Sequence, residues 1–547
     1  TDVIWWRELD LPTRAIIGRS GRLLPDAPHG VDAEAYGRIA GLTVNQAQRA
    51  VVEQLTASGE LLGDPRPITH PVKFYEKGDR PLEIVTSRQW YIRNGGRDET
   101  LRTELVKRGA EITWHPAHMQ HRYDNWVEGL NGDWLISRQR FFGVPIPVWY
   151  RLDADGEPIR DEPIVPDESR LPIDPSTDVP EGFEAAQRGV AGGFVGDPDI
   201  FDTWATSSLT PQIAARWEDD PDLFPRVFPM DMRPQSHDII RTWLFSTVVR
   251  SHYEFGTIPW TNAALSGWIL DPDRKKMSKS KGNVVTPMSL LEQYGTDAVR
   301  YWASSARPGV DTAFSEEQMK VGRKLANKVL NVTKFVLGSG DADSAATADV
   351  ADVHDPVDAA MLAKLDAVIA EATTSFDHFD YARALERTEA FFWWFCDDYV
   401  ELVKGRAYGS RGDEAAASAR AALQLALDAQ LRLFAPILPF ATEEAWSWWH
   451  DTSVHTSSWP APYGVDADPD ALDVVSEVLA RVRRAKTEAK QSQRAAVASL
   501  RVLAPADTHE ALERGRADLL EAGSIESLTV EAGETLECAV ELASPST

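Results

Sequence analysis

The sequence contains few cysteines and no long apolar run. Its 547 residues include two cysteines, Cys396 and Cys538, which are too few for a disulfide framework or a four-cysteine zinc site. No apolar stretch approaches the ~20 residues of a membrane-spanning helix, and no segment has the pattern of a signal peptide. We therefore expect a protein of the cytoplasm that does not associate with membranes.

Positive charge is also scarce over the chain as a whole. Acidic residues number 84 against 57 basic residues, which gives a formal net charge of -27. Proteins that bind nucleic acid over a broad surface are usually basic. This balance argues against a general nucleic-acid binder and leaves open the binding of RNA through local cationic patches.

One short segment concentrates the positive charge. Five of the ten residues from 274 to 283 are cationic, and serine and glycine stand among them: Arg274, Lys275, Lys276, Lys279 and Lys281, with Ser278, Ser280 and Gly282. A mobile loop of lysines can close over a polyphosphate and neutralise the charge that builds on a leaving group. The alternative is a solvated basic turn.

The composition changes along the chain and indicates several domains. At ~150 residues per domain, the length predicts three or four domains. Residues 151–200, 338–356 and 460–470 are rich in Asp, Pro, Gly or small residues and indicate loops or linkers. Helical periodicity over residues 357–450 predicts a bundle. Residues 471–547 begin as a basic helix and end in short alternating segments, which predicts a small α/β unit.

The region between residues 205 and 335 has mixed α/β character. We expect one helix over residues 237–251 and a strand over residues 263–270 that leads into the lysine loop. After the loop, Thr286 and Pro287 predict a helix start and Gly295 its end. Thr296 or Asp297 is then expected to cap the next helix.

Two tryptophan-bearing segments precede the lysine loop. They read Phe201-Asp202-Thr203-Trp204 and His237-Asp238-Ile239-Ile240-Arg241-Thr242-Trp243. Most tryptophans, taken singly, are core residues. Ile239 and Trp243 are four residues apart, so on a helix they would share one face.

The order of these two segments and of Lys-Met-Ser-Lys-Ser at residues 276–280 resembles that of the valyl-tRNA synthetases, a family of class I aminoacyl-tRNA synthetases. Residues 125–126, 133–140, 143–147, 435–440, 442–444 and 483–486 extend the resemblance over essentially the whole chain. Each piece is only moderately specific, whereas their order and spacing together are very specific.

The resemblance implies a multidomain fold. An α/β Rossmann-like catalytic half would be followed by an α-helical anticodon-binding bundle and a small α/β tail. The expected domains are the remainder of an editing domain (1–75), the second part of the catalytic domain with inserted segments and the lysine loop (76–335), the bundle (336–460), and a tRNA-contacting tail (471–547). The chain begins with Thr1 rather than Met, and we expect it to be part of a longer protein.

The resemblance also implies roles for particular residues. Trp204, Ile239 and Trp243 match residues that line the valine side-chain pocket of such enzymes. The ATP-binding loop would comprise Lys276, Met277, Ser278, Lys279 and Ser280. Within it, Lys276, Ser278 and Lys279 are the expected catalytic residues. ATP and Mg²⁺ are the implied cofactors, and no metal site formed by the protein itself is predicted.

An indole-walled apolar slot can exclude side chains larger than valine, but it discriminates weakly against threonine, by ~100-fold, because threonine has the same shape. The family therefore carries a second, hydrolytic editing site. Asp2 aligns with the aspartate that holds the amino group of the misactivated residue there, and a carboxylate suits an ammonium. The alternative for Asp2 is an ordinary surface residue.

One family signature does not occur in the sequence. The His-x-Gly-His element that cradles ATP in these enzymes is absent from residues 1–547. We therefore expect that this chain, by itself, does not activate an amino acid well.

Two sets of cations on predicted helices could follow the phosphates of tRNA. The first set is spaced by four and the second follows a 3–4–4 spacing: Lys320, Lys324 and Lys328, then Arg483, Lys486, Lys490 and Arg494. Such contacts position an RNA without reading its sequence. The alternative in each case is a solvated helix face.

The resemblance thus implies an ATP-dependent ligase that attaches valine to tRNA(Val) through valyl-adenylate, with editing of threonine in the complete enzyme. Isoleucyl-tRNA synthetase is one alternative, and a non-catalytic tRNA-binding derivative of a synthetase is another. Thr203 after Asp202 and the lack of a carboxyl-terminal cysteine cluster favour valine over isoleucine. The intact lysine loop opposes the non-catalytic alternative, whereas the missing first signature supports it.

Overall fold

The structure is a computed structural model that describes residues 5–6, 8–12, 14–66, 68, 72–74, 82–83, 85–277, 282–340 and 348–543. The chain divides into two compact units, one of residues 1–93 and 133–203 and the other of residues 94–132 and 204–547. Four predicted site residues, Asp2, Ser278, Lys279 and Ser280, lie outside the described residues.

The longest described helices lie between residues 316 and 488. In the described residues the α-helices are α1 (Ala33–Gly37), α2 (Val44–Ser58), α3 (Glu99–Glu111), α4 (Gln120–Glu128), α5 (Thr203–Ser207), α6 (Thr210–Ala214), α7 (Leu223–Val227), α8 (Phe245–Phe255), α9 (Pro287–Tyr294), α10 (Thr296–Ser304), α11 (Glu316–Gly338), α12 (Pro356–Asp377), α13 (Tyr381–Trp394), α14 (Val400–Ala407), α15 (Asp413–Phe434), α16 (Pro439–Trp446), α17 (Ala471–Glu488), α18 (His509–Arg514) and α19 (Arg516–Ala522). None of these helices is both long enough and apolar enough to cross a membrane.

The strands are short and form several small sheets. They are β1 (Tyr91–Ile92), β2 (Thr113–His115), β3 (Trp134–Leu135), β4 (Ser137–Arg138), β5 (Trp149–Leu152), β6 (Pro158–Ile164), β7 (Phe194–Gly196), β8 (Ile200–Phe201), β9 (Met230–Ser236), β10 (Trp260–Ser266), β11 (Ile269–Leu270), β12 (Thr312–Ala313), β13 (Val497–Ala504), β14 (Leu528–Ala532) and β15 (Glu537–Leu542).

The first unit is built around antiparallel pairs. β1 pairs with β3, β4 pairs with β8, and β5 lies between β6 and β7. Asp197 is buried beside β7, where its carboxylate accepts hydrogen bonds from the Trp90 indole at 2.8 Å and the Tyr150 hydroxyl at 2.7 Å. This carboxylate ties β5 to the segment that precedes β1.

The second unit contains a parallel sheet in which β10 lies between β2 and β9. Residues of β10 that point inward, Ala263 and Leu265, are buried. Parallel strands end at the same edge of a sheet, and in open α/β sheets this edge carries the ligand sites. The segments that follow β9 and β10 therefore begin side by side.

Helices α11 to α16 form a bundle whose core continues into the carboxyl-terminal tail. Side chains cap two of the helix starts: the Ser315 hydroxyl accepts from the Gln318 amide before α11, and the Asp355 carboxylate accepts from the Val357 amide before α12. The tail sheet has β13 between parallel β14 and antiparallel β15. The predicted fold class, an α/β part followed by a helical bundle and a small α/β tail, is confirmed.

A buried charge network joins the bundle to the tail. The Arg406 guanidinium on α14 is fully buried and donates to Asp358 of α12 at 2.6 and 2.7 Å. It also donates to Asp518 of α19 at 3.1 Å through two nitrogens. Both carboxylates are buried as well, so each charge relies on the others for solvation.

The predicted helix over residues 237–251 is wrong in its first half. A 3₁₀ turn covers His237–Ile239, a π-helical turn covers Ile240–Leu244, and only then does α8 begin. A π-helical turn closes i→i+5 hydrogen bonds. A spacing of four therefore does not by itself place Ile239 and Trp243 on one face.

The predicted strand over residues 263–270 is two strands. β10 begins earlier, at Trp260, and ends at Ser266, and β11 follows at Ile269. The break falls at Gly267, where a Cβ would lie 2.3 Å from the carbonyl carbon of Val310. Only glycine allows the two backbones to approach so closely.

The boundary between α9 and α10 differs from the prediction in one respect. α9 begins at Pro287 and ends before Gly295 as predicted, but Gly295 itself precedes the first residue of α10 as its N-cap. Asp297 instead accepts hydrogen bonds from the backbone amides of Phe440 at 3.2 Å and Ala441 at 2.7 Å. This carboxylate thus caps the start of α16, a distant helix.

Candidate active site

The ends of β9 and β10 bring the second tryptophan segment to the lysine loop. His237 follows β9, and its Nδ1 lies 3.2 Å from the carbonyl oxygen of Ser266, the last residue of β10. The His237 ring is also 4.7 Å from the ring of Trp268, which stands between β10 and β11. The second tryptophan-bearing segment and the stretch that leads into the lysine loop are therefore neighbours at the carboxyl edge of the sheet.

Lys276 extends from the loop onto this edge. Its ammonium lies 3.9 Å from the centre of the Trp268 ring and 3.7 Å from the Asp238 carboxylate. A cation over an indole face is attracted by the ring quadrupole. The ammonium and its carboxylate partner are both partly exposed, so a ligand could draw Lys276 away at small cost.

Asp271 organises the described part of the loop. Its carboxylate accepts a hydrogen bond from the Asn283 side chain at 2.7 Å and from the Lys275 amide at 2.8 Å. These hydrogen bonds, the one from Asn283 first, lower the pKa of Asp271. The segments before and after the lysine loop are thus both hydrogen-bonded to the Asp271 carboxylate. Met277, the residue after Lys276, is half-buried.

The predicted amino-acid pocket residues lie on two neighbouring segments. Trp204 is on α5, Ile239 ends the 3₁₀ turn, and Trp243 is in the π-helical turn; all three are half-buried. The Trp243 indole nitrogen donates to the carbonyl oxygen of Ser207, the last residue of α5, at 2.9 Å. This hydrogen bond connects the segment of Trp243 to the helix that carries Trp204.

A buried arginine, Arg233, and a half-buried one, Arg250, support this region and were missed by the sequence analysis. Arg250 of α8 donates to the Ser208 hydroxyl at 2.8 Å and to the Ala205 carbonyl at 3.2 Å. Arg233 of β9 lies against the Trp243 ring. Burial lowers the pKa of both guanidinium groups. No pattern in the sequence distinguishes these arginines from exposed ones, because most of their contacts are with residues distant in sequence.

The first predicted set of tRNA-binding cations lies along α11. Lys320 pairs with Glu317 at 2.9 Å, and Lys328 pairs with Asp397 at 3.0 Å. The hydrogen bond to Glu317 raises the pKa of Lys320. Lys324 is exposed between them. The spacing of four on one continuous helix keeps the three ammonium groups on a common side.

The second predicted set does not form one helical face. α17 ends at Glu488, so Lys490, with a φ of +54°, and Arg494 lie in the loop beyond it. Lys486 is 1% exposed and its ammonium donates to the carbonyl oxygens of Gln493 at 2.9 Å and Gly523 at 2.7 Å. Lys486 is therefore a buried structural residue, and the prediction that it contacts phosphate is wrong. Arg483 is partly buried and contacts Asp397 and Glu401.

The described residues contain no group of three or more His, Cys, Asp or Glu side chains arranged to hold a metal ion. Mg²⁺ commonly binds through one or two carboxylates together with substrate phosphates. The partly exposed Asp238 carboxylate beside Lys276 is compatible with an ion that arrives with a nucleotide. The described part of the site thus places one ammonium and one partly exposed carboxylate at the end of a parallel sheet.

Comparison with protein families identifies the class to which these features belong. Residues 34–315 match the family of class I tRNA synthetases (I, L, M and V), and residues 358–502 match the anticodon-binding domain of tRNA ligases. The chain belongs to the class I tRNA synthetases.

Three similar proteins within this class are valine--tRNA ligases. The chain is 60% identical to a valine--tRNA ligase of Thermobifida fusca, over 99% of this chain and 62% of that protein. Identities of 59% and 57% are found with the valine--tRNA ligases of Salinispora arenicola and Cutibacterium acnes, over 97% and 100% of this chain and 63% of each relative. The chain thus spans about three fifths of the length of these relatives.

Proposed function

We propose that this chain supplies the second part of the catalytic domain and the tRNA-binding domains of an ATP-dependent ligase that joins valine to tRNA(Val). The main support is the 57–60% identity with proteins named valine--tRNA ligase over at least 97% of the chain. The position of Lys276 at the carboxyl edge of a parallel sheet agrees with this function.

The proposed reaction has two steps. An oxygen of the valine carboxylate attacks the α-phosphorus of ATP, the bond from that phosphorus to the bridging oxygen breaks, and pyrophosphate leaves with the electron pair. A terminal ribose hydroxyl of tRNA then attacks the valyl carbonyl, loses its proton and releases AMP. No covalent intermediate with the protein is needed.

The lysine loop would act in the first step. Lys276 would leave Trp268 and Asp238 and, with Lys279, approach the β- and γ-phosphates, where it stabilises the charge that develops on pyrophosphate. Ser278 would orient the same phosphates by hydrogen bonding. Mg²⁺ would share the charge when bound with ATP.

Trp204, Ile239 and Trp243 would form the side-chain pocket, and the indole nitrogen of Trp243, held by Ser207, would fix one wall. In the complete enzyme, threonine that passes this pocket would be removed at an editing site that includes Asp2.

The phosphates of tRNA would be contacted by six cations: Lys320, Lys324, Lys328, Arg483, Lys490 and Arg494. A cytoplasmic location agrees with tRNA as the substrate.

The domain boundaries are part of this proposal. Residues 1–75 would belong to the editing domain, 76–335 to the catalytic domain, 336–460 to the anticodon-binding bundle and 471–547 to the tail. The bundle and tail share one hydrophobic core that includes Leu365, Leu427 and Leu500, so they would move as one body during tRNA binding.

Pyrophosphate exchange tests the function directly. The complete product of the gene that encodes this sequence should exchange pyrophosphate into ATP with valine at a much higher kcat/KM than with isoleucine, with threonine in between. Preference for isoleucine would support the isoleucyl alternative. Absence of exchange with any amino acid, together with retained tRNA binding, would support a non-catalytic tRNA-binding protein.

A further inference from the structure

Arg233 is a buried cation without a carboxylate partner in the described part of the chain. Its side chain is 6% exposed and points from β9 to the same side as Gln235, which is 9% exposed. Its Nε donates to the Gln235 side-chain oxygen at 3.2 Å. One terminal nitrogen, Nη2, is buried and has no hydrogen-bond acceptor among the residues that the structure describes.

Burial of an unpaired guanidinium is costly, because the charge loses its hydration. The same burial lowers the pKa of Arg233 to about 9, so the group still carries its charge at neutral pH. A neutral side chain such as methionine would fill this space without that cost. Burial of this cation therefore contributes less to the free energy of folding than burial of an apolar side chain of similar size would.

Two indole rings replace the missing carboxylate. The guanidinium lies on the face of Trp243, and its central carbon is 5.3 Å from the centre of the Trp260 ring. Attraction between a cation and an aromatic face is strongest when both are desolvated. Trp260 is 2% exposed and belongs to β10, so it is fixed within the sheet. Arg233 therefore connects the half-buried Trp243 to a rigid element.

The contacts of Trp243 restrain it in two directions. The hydrogen bond from its indole nitrogen to Ser207 fixes one edge of the ring but leaves the ring free to tilt about that bond. The guanidinium that lies over one face of the ring opposes this tilt. Trp243 is in a π-helical turn, and the backbone hydrogen bonds of that turn do not by themselves determine where its side chain points. The contact with Arg233 therefore helps to fix the orientation of the indole.

We infer that Arg233 is a positioning residue that holds the Trp243 indole and, through it, sets the shape of the amino-acid side-chain pocket. This inference rests on the proposed function, in which Trp243 lines that pocket. Arg233 itself need not touch the substrate, because its guanidinium lies between two rings.

Kinetics of the complete gene product test the effect on the pocket. Arg233→Met should raise KM for valine about ten-fold in pyrophosphate exchange, leave KM for ATP within about two-fold, and increase the relative use of isoleucine. Arg233→Lys keeps the charge but not the planar stacking surface and should be intermediate. Arg226→Met, at an arginine that is 68% exposed, is the matched control and should change none of these values.

A fluorine NMR spectrum tests the contact itself. With 5-fluorotryptophan in the complete gene product, Trp243→Phe and Trp260→Phe assign two resonances, and Arg233→Met should shift both while tryptophans far from β9 keep their positions. Where Arg233→Met does not fold, Arg233→Lys should still shift the Trp243 resonance. An unmoved Trp243 resonance in a folded variant overturns the inference.

The two experiments separate this inference from the proposed function. Failure of the wild type to prefer valine would refute the proposed function. A wild type that prefers valine, with Arg233→Met leaving KM for valine and the use of isoleucine unchanged, would refute only the positioning role of Arg233.

Discussion

The Lys276 ammonium lies 3.7 Å from the Asp238 carboxylate, and the two side chains are 49% and 36% exposed. An ion pair with this exposure contributes at most about 1 kcal/mol. The pair can therefore hold Lys276 at the carboxyl edge of the sheet without preventing it from moving to a phosphate.

Lys276→Ala should slow amino-acid activation strongly and leave the fold unchanged. If the ammonium stabilises charge on departing pyrophosphate, its removal should raise the barrier by about 2–4 kcal/mol, as for other preorganised charge donors. Pyrophosphate exchange by the complete gene product at saturating ATP and valine measures this. Lys279→Ala should have a similar effect. Lys275→Ala is the control, because its ammonium lies 3.6 Å from Asp273 of the same loop; equal slowing by all three variants would argue against a specific role.

Trp243→Ala should change amino-acid choice. The substitution opens space that isoleucine can enter and removes packing against the methyl groups of valine. One methylene is worth ~1–3 kcal/mol in such a pocket, so the preference should shift by tens-fold. Threonine should be affected as much as valine because the two share a shape. Values of kcat/KM for the three amino acids check this; an equal fall for all three would show that Trp243 is only a core residue.

Lys320→Gln with Lys324→Gln should weaken tRNA binding for cognate and non-cognate species alike. Each ammonium that binds a phosphate contributes roughly one to the slope of log K against log salt, so this double substitution should lower the slope by roughly two. Titrations at several salt concentrations measure the slope. Lys107→Gln is a matched control, because Lys107 pairs with Glu104 three residues away as Lys320 does with Glu317. Weaker binding of one tRNA species alone would indicate base recognition instead.

Lys486→Met should reduce stability rather than tRNA affinity. The substitution leaves the carbonyl oxygens of Gln493 and Gly523 without their buried donor, at a cost of about 1–3 kcal/mol. Lys490→Met, in the exposed loop, should leave stability unchanged and weaken tRNA binding. Thermal unfolding together with tRNA titration distinguishes the two. The reverse pattern would restore Lys486 to the phosphate-binding set.

Arg406→Met should be the most destabilising of these substitutions. It leaves Asp358 and Asp518 buried without their shared counter-charge, which typically costs about 3–5 kcal/mol. Arg411, which also pairs with Asp518, is 33% exposed, so Arg411→Met should lower the free energy of unfolding much less. Denaturant unfolding measures both. Equal effects would mean that the network is solvated in solution.

Local patterns predicted the elements whose determinants are close in sequence. Pro287 and Gly295 mark the two ends of α9, since proline geometry and glycine act within one turn, whereas the Thr286 side chain makes no capping hydrogen bond. Apolar periodicity predicted the bundle and the tail. Periodicity failed at residues 237–251, where a π-helical turn interrupts the helix and the ring contacts of Trp243 come from β9 and α5.

The sequence by itself determined the family, the lysine loop and the order of an α/β part, a bundle and a tail, because these depend on residue identity and on spacing along the chain. Only the tertiary structure decided what each charge contacts. Lys486 and Lys490 are four residues apart, yet one is buried between carbonyls and the other is exposed, because α17 ends between them. Arg233 became a candidate for positioning Trp243 only when folding placed β9 beside the π-helical turn. Solvation and pairing depend on neighbours in space, and these are set by packing rather than by sequence separation.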